Sequence, residues 1–195
     1  ELRIDGEIVD DGDAWIYEWF GEPHASPGDF RDELLQHRGK NLTVWIDSYG
    51  GNVFAAAGIY NALKRHDGKV TVKIDGKAMS AATVIAMAGE KIMMSAVGMF
   101  MIHNPWTYVA GESADMRKTA DVLDEVKESI MNAYATKTGI DRGRIAELMD
   151  NETYMSAKTA LKEGFIDEII LGDTTEPNTL AFNRRAILNS TNESI

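Results

Sequence analysis

Leu42-Thr43-Val44-Trp45-Ile46-Asp47-Ser48-Tyr49-Gly50-Gly51, then the Ala-rich Val53–Arg65, then Val70-Thr71-Val72-Lys73-Ile74-Asp75-Gly76, is the stretch that decides the fold. Leu42, Val44 and Ile46 alternate with Thr43, Trp45 and Asp47, the period of two that a strand shows. Gly50-Gly51 breaks the pattern and Val53–Arg65 reads as a helix. Val70, Val72 and Ile74 then repeat the strand signal until Gly76. Ser80 to about Ala88 is a helix of small residues ended by Gly89. Strand, glycine turn, helix, strand, turn, helix predicts an α/β fold with parallel layering.

Outward from this unit the pattern continues. Leu2–Val9 alternates as a strand. Ser26-Pro27-Gly28-Asp29 opens a helix, with a Ser cap, Pro at the first position and an acid at the third, and it runs to about His37. Lys91–Met94 and Met99–Ile102 are short apolar strands. Ser113–Lys137 is a long helix in which Met116, Ala120, Leu123, Val126, Ile130 and Tyr134 recur at spacings of three and four. Asp141 caps a helix through Met149, Ser156 caps a short one that ends at Gly164, and Phe165–Leu171 is a last strand. The remainder is polar and irregular apart from some apolar content over Leu180–Leu188. Residues 1–171 therefore read as one domain and 172–195 as a tail that docks on a neighbour.

A chain of 195 residues has room for one sizeable core. Its net charge of −11, without a cluster of Lys and Arg, argues against nucleic acid and anionic membrane as partners. With no cysteine there is no disulfide, no thiol catalysis and no Cys-ligated zinc, which fits a reducing cytoplasm. No apolar run approaches the roughly 20 residues of a membrane helix. The chain opens on Glu1 rather than Met, which is expected of a trimmed N-terminus.

In parallel α/β sheets functional groups gather at the carboxyl ends of strands. Ser80 lies there, a few residues past Ile74, among the small or apolar Ala78, Met79, Ala81 and Ala82. A helix N-terminus at this point offers free N–H groups to a developing oxyanion. By position alone Ser80 reads first as an ordinary N-cap, and it needs a base before it counts as a nucleophile. Of the four histidines, His24, His37 and His66 read as solvated surface. His103 follows the strand Met99–Ile102 and precedes Asn104-Pro105, again at a strand end. Gly50-Gly51 lets the backbone approach a substrate closely, although such a pair is also an ordinary tight turn.

The ordered set is Asp47-Ser48-Tyr49-Gly50-Gly51, Gly76-Lys77-Ala78-Met79-Ser80-Ala81-Ala82, Ala88-Gly89, Met101-Ile102-His103-Asn104-Pro105, Tyr154-Met155-Ser156-Ala157 with Ala160, and Gly164-Phe165-Ile166-Asp167. Taken together, with 29 residues from Gly51 to Ser80 and 23 from Ser80 to His103, it resembles the Clp protease family, the S14 serine peptidases, over roughly Leu2 to Leu171. The resemblance implies a ClpP/crotonase-like fold of stacked β-β-α units, with Ser113–Lys137 as a protruding handle helix. It implies a serine endopeptidase with Ser80 as nucleophile, His103 as base, and the N–H groups of Gly51 and Ala81 as the oxyanion hole. A polypeptide substrate would bind extended along the segment after Gly51, beside Asn52 and Val53. It also implies a homo-oligomer of seven-membered rings enclosing the sites, a peptidase core independent of ATP, and no metal or organic cofactor.

Two departures matter. Tyr49 stands where the family usually has Pro. The third triad member is normally Asp, and without gaps that position is Glu152, with Asp150 two residues earlier as the alternative. The helix start Ser26-Pro27-Gly28-Asp29-Phe30 and Glu152-Thr153-Tyr154 resemble the phage and prophage branch, whose members process capsid or scaffold protein during head maturation. A housekeeping-type subunit working with an unfoldase, a crotonase-like acyl-CoA enzyme and a catalytically silent ring subunit are the rival readings.

Overall fold

Every second residue of the Leu42–Ile46 run is buried, as the alternation requires, and the run is the second strand inward in a sheet that organises the molecule. The computed structural model describes residues 1–170 together with the strand pair 182–183. In chain order the elements are β1 (Leu2–Ile8), α1 (Ala14–Phe20), β2 (His24–Ala25), α2 (Pro27–Leu35), β3 (Leu42–Gly51), α3 (Val53–Lys64), β4 (Val70–Met79), α4 (Ala81–Ala86), β5 (Lys91–Ser95), β6 (Met99–Ile102), α5 (Ser113–Thr138), α6 (Arg142–Asp150), β7 (Thr153–Ser156), α7 (Ala157–Glu163), β8 (Glu168–Ile170) and β9 (Phe182–Asn183). The sheet order is β2-β1-β3-β4-β5-β8-β9, parallel from β2 to β8, with β9 antiparallel at the edge. The α/β class, the parallel sheet and the long helix stand as the sequence predicts.

The two glycine breaks are corrected by the structure. Both strands run on past the point where the alternation ends, β3 through Gly50-Gly51 and β4 through Gly76 to Met79. Their pairing shifts instead: Ile46 faces Ile74, but Ser48 faces Ala78, so β4 carries two extra residues there. Gly76 fits that bulge because a Cβ would lie 2.6 Å from Asp47 Oδ1. Beyond the shift β4 changes partner. Its first half pairs with β5 and its last three residues with β6, which in turn pairs antiparallel with β7. A turn over Glu152 was all that the sequence suggested where β7 follows.

Helix α1 has no signal in the sequence, because only Ala14 of its seven residues is buried while Trp15, Trp19 and Phe20 face outward. His24, expected on the solvated surface, belongs to β2 and is half-buried. The capping expectations hold: Ser26 Oγ accepts from Asp29 N–H, Asp141 from Arg144 N–H, and Ser156 from Thr159 N–H. Helix α5 buries Ile130, Met131, Ala133 and Tyr134 in its second half, and most of its first half is exposed among the described residues. The final strand is shorter than expected, Glu168–Ile170. Of the tail, Phe182–Asn183 pairs with β8 rather than being irregular, and the rest of the 172–195 expectation lies outside the described residues. Among the described residues no helix is long and apolar enough to cross a membrane.

Candidate active site

The register of three strands brings the site together. Met79 at the end of β4 faces Met101 in β6, and Ser80 N–H donates to the Met101 carbonyl at 2.9 Å. Residue 80 is thereby pinned beside the exit of β6, where His103 follows directly. On the other side Ser48 of β3 faces Ala78, which sets Gly50 against the turn: a Cβ on Gly50 would meet Ser80 Cβ at 2.8 Å and Ala81 N at 3.0 Å. Gly50 and Gly51 have φ of 105° and 139°, a region that strains any side chain, and Gly51 lies flat on β1 with Ile8 O only 2.2 Å from where a Cβ would stand.

Ser80 Oγ lies 2.7 Å from His103 Nε2. Although Ser80 occupies the N-cap position of α4, its hydroxyl makes no capping hydrogen bond, and its backbone sits at φ 52°, ψ −127°. A non-glycine residue there is strained by about 1–3 kcal/mol, a cost that persists only where surrounding contacts impose it. The ordinary reading of Ser80 as a helix cap therefore gives way to a hydroxyl turned toward an imidazole. Ala81 N–H, the first donor of α4, has the position of a helix-start orphan.

His103 is half-buried, and burial pushes its imidazole below the ordinary histidine value, with the negative charge of Glu152 pulling the other way. Neither acid completes the set by direct contact: among the described residues no carboxylate lies within hydrogen-bond distance of His103. Glu152 Oε1 accepts from Tyr154 O–H at 3.1 Å, and its backbone is at φ 44°. Asp150 is engaged elsewhere. Lys127 of α5 donates to Asp150 Oδ1 at 2.5 Å and Asn104 Nδ2 at 2.9 Å, and these bonds, the lysine foremost, hold the carboxyl below its usual range.

The pair opens into a cleft of about 950 Å³, bounded by Tyr49 and Gly51 on one side and by Leu123, Val126 and Ile130 of α5 on the other. Asn52 and Val53 both line it. The segment after Gly51 is not an open strand edge, however. Asn52 Oδ1 accepts from Phe54 and Ala55 N–H as the cap of α3, and Asn52 Nδ2 donates to Asp10. Tyr49, the departure at the turn, is 71% exposed, with the Lys77 ammonium 4.4 Å from its ring centroid.

The sequence did not point to Thr83, Tyr134, Lys127 or Trp106 as part of this region. Thr83 at three residues past Ser80 is a recognisable hydroxyl-to-backbone spacing. Tyr134 and Lys127 become neighbours only because α5 crosses back over the strand ends. Away from the Ser80–His103 pair, Glu18, His24 and Asp29 bring potential ligand atoms within 4.8 Å of one another at a largely exposed position, and the imidazole there is 3.1 Å from Glu22 O.

The geometry agrees with comparison to known proteins. The family model described as Clp protease matches residues 34–173. The chain is 30% identical over 135 residues to the ATP-dependent Clp protease proteolytic subunit of Bacteroides fragilis, covering 68% of this chain and 65% of that protein. The protein of the same name from Bacteroides thetaiotaomicron is 30% identical over 135 residues, with 68% and 61% covered. That from Borreliella afzelii is 27% identical over 134 residues, with 68% of each covered. The chain thus spans just under two thirds of the length of the Bacteroides relatives, and the span matched by the family model contains Ser80, His103 and the turn that carries Gly51. This chain belongs to the Clp protease family.

Proposed function

We propose that this chain is a serine endopeptidase that cleaves polypeptides inside a homo-oligomeric chamber, with residues 1–171 as the peptidase domain and 172–195 as a tail. One observation carries the reading: the Ser80 hydroxyl, relieved of capping, is 2.7 Å from His103 Nε2, and both line a cleft of about 950 Å³. Ser80 Oγ attacks the scissile carbonyl as His103 accepts its proton. The N–H groups of Gly51 and Ala81 hold the oxyanion, each worth roughly 3–4 kcal/mol in comparable sites. His103 then protonates the leaving amine, and water attacks the acyl-enzyme by the same route. Glu152 is the acid that steadies the imidazole, because it acts on His103 through space while Asp150 is tied to Lys127 and Asn104. Asn52 and Val53 border the bound peptide. No metal or organic cofactor takes part.

The assembly is a ring, seven-membered as the family resemblance implies, acting in the cytoplasm. Its substrate is a phage or prophage capsid or scaffold protein, a reading supported by the likeness of Ser26–Phe30 and Glu152–Tyr154 to that branch. The names of the curated relatives favour a second reading, in which an ATP-driven unfoldase feeds the chamber.

A fluorophosphonate probe with intact-mass readout tests the activity. The expected result is one label, on Ser80, and a fall in peptide cleavage of at least about 10⁴-fold in Ser80→Ala with the native assembly mass unchanged. Unlabelled protein, or full activity in Ser80→Ala, ends the proposal; a crotonase-like enzyme and a silent ring both remain unlabelled.

A further inference from the structure

The peptide bond between Ser80 and Ala81 is gripped from behind. Its carbonyl oxygen, on Ser80, accepts two hydrogen bonds from Thr83, one from the backbone N–H at 3.0 Å and one from Oγ1 at 2.5 Å. Thr83 Oγ1 also lies 2.6 Å from the hydroxyl of Tyr134 on α5. Thr83 and Tyr134 are fully buried, so neither hydroxyl has a solvent alternative. The direction of the chain follows from counting hydrogens. A threonine hydroxyl has one, and a carbonyl can only accept. Thr83 spends its hydrogen on Ser80 O, so Tyr134 must be the donor to Thr83. Burial pushes the Tyr134 phenol well above its ordinary value, which keeps that hydrogen in place.

We infer that Tyr134 and Thr83 are positioning residues that set the oxyanion-hole peptide. This rests on the peptidase reading above. The carbonyl of Ser80 and the N–H of Ala81 belong to one planar trans amide and point in opposite directions. Whatever holds the carbonyl therefore aims the N–H. With the relay in place, Ser80 O is drawn into α4 and Ala81 N–H faces the cleft. The strained φ of Ser80 makes this orientation one that the backbone would otherwise leave by rotating the peptide. Two donors on the carbonyl also polarise the amide and strengthen its N–H as a donor.

The alternative is that Thr83 merely satisfies a buried tyrosine hydroxyl. The two are separated by measuring kcat, KM, fluorophosphonate labelling rate and Tm on the whole chain for Thr83→Val, Thr83→Ser, Tyr134→Phe and the double variant. The relay predicts a fall in kcat and in labelling rate of about tenfold or more for Thr83→Val, with KM nearly unchanged, since the lost interaction forms only in the transition state. It predicts recovery in Thr83→Ser, a fall of a few fold in Tyr134→Phe, and a double variant no slower than Thr83→Val. Wild-type kcat and labelling in Tyr134→Phe and Thr83→Val, with only Tm lowered, overturns it. If Thr83→Val does not fold, Tyr134→Phe decides, because it removes a hydroxyl alone and unchanged kcat in it overturns the relay. A wild-type chain that takes no label at all overturns the peptidase reading first, and the relay with it.

Discussion

Ser80 occupies a conformation that its side chain disfavours and that its neighbours impose. Glycine at this position would be free of that cost. Ser80→Gly is therefore expected to be more stable than Ser80→Ala by about 1 kcal/mol, measured by urea denaturation, with both inactive. Equal stability of the two variants would show that the turn stores no strain. His103 has a second consequence. Its imidazole must be neutral to act as base, and burial lowers its proton affinity, so the acid limb of kcat/KM is expected below pH 6.5. Because Glu152 raises that affinity, Glu152→Gln should move the limb to still lower pH and reduce kcat by about 10²-fold. Asp150→Asn should leave the limb where it is. A pH–rate profile in which the Asp150 variant moves and the Glu152 variant does not would reverse the assignment of the third member.

Elements position these residues by register rather than by their own propensities. The bulge in β4 opposite Ile46–Ser48 of β3 shifts the register so that Gly50 lies against the Ser80 turn. Gly50→Ala would place a Cβ 2.7 Å from Met79 O and 2.8 Å from Ser80 Cβ at a φ of 105°. The expected outcome is a loss of about 2–4 kcal/mol in stability, from backbone strain and overpacking together, and a larger proportional loss in kcat as Ser80 is pushed from His103. Denaturation and steady-state kinetics on the same preparation check it, and a variant that keeps full activity would mean that β3 does not press on Ser80. Why β7 and α1 escape a reading of the sequence is also an element-scale matter. Thr153–Ser156 is a strand because β6 offers it an edge, and Ala14–Phe20 is a helix whose apolar residues point outward, so neither shows the periodicity that burial writes into a sequence.

At the scale of the molecule, most of the first half of α5 is exposed among the described residues, and Met116 and Val122 are about half exposed. Exposed apolar residues on a projecting element fit a surface that other subunits cover. Native mass measurement is expected to give a multiple of the 21.5 kDa chain. Met116→Glu with Val122→Glu should lower that mass while leaving far-ultraviolet circular dichroism unchanged. An unchanged mass in the double variant would remove α5 from the assembly contacts. The same helix supplies Tyr134 behind Ser80 and Lys127 to Asp150, so a single element reaches two sides of the site.

The sequence by itself determined the α/β class, the parallel strands, the caps of α2, α6 and α7, and Ser80 and His103 as the two residues worth bringing together. These are local or periodic properties: alternation reports burial, and short motifs report the turn they must form. Tertiary structure alone decided that β3 and β4 run through their glycines, that Asp150 is claimed by Lys127, and that a tyrosine 51 residues from Thr83 in the chain stands behind the Ser80 carbonyl. Strand register and helix crossing join residues distant along the chain, and the pairing energy that fixes them belongs to no single segment.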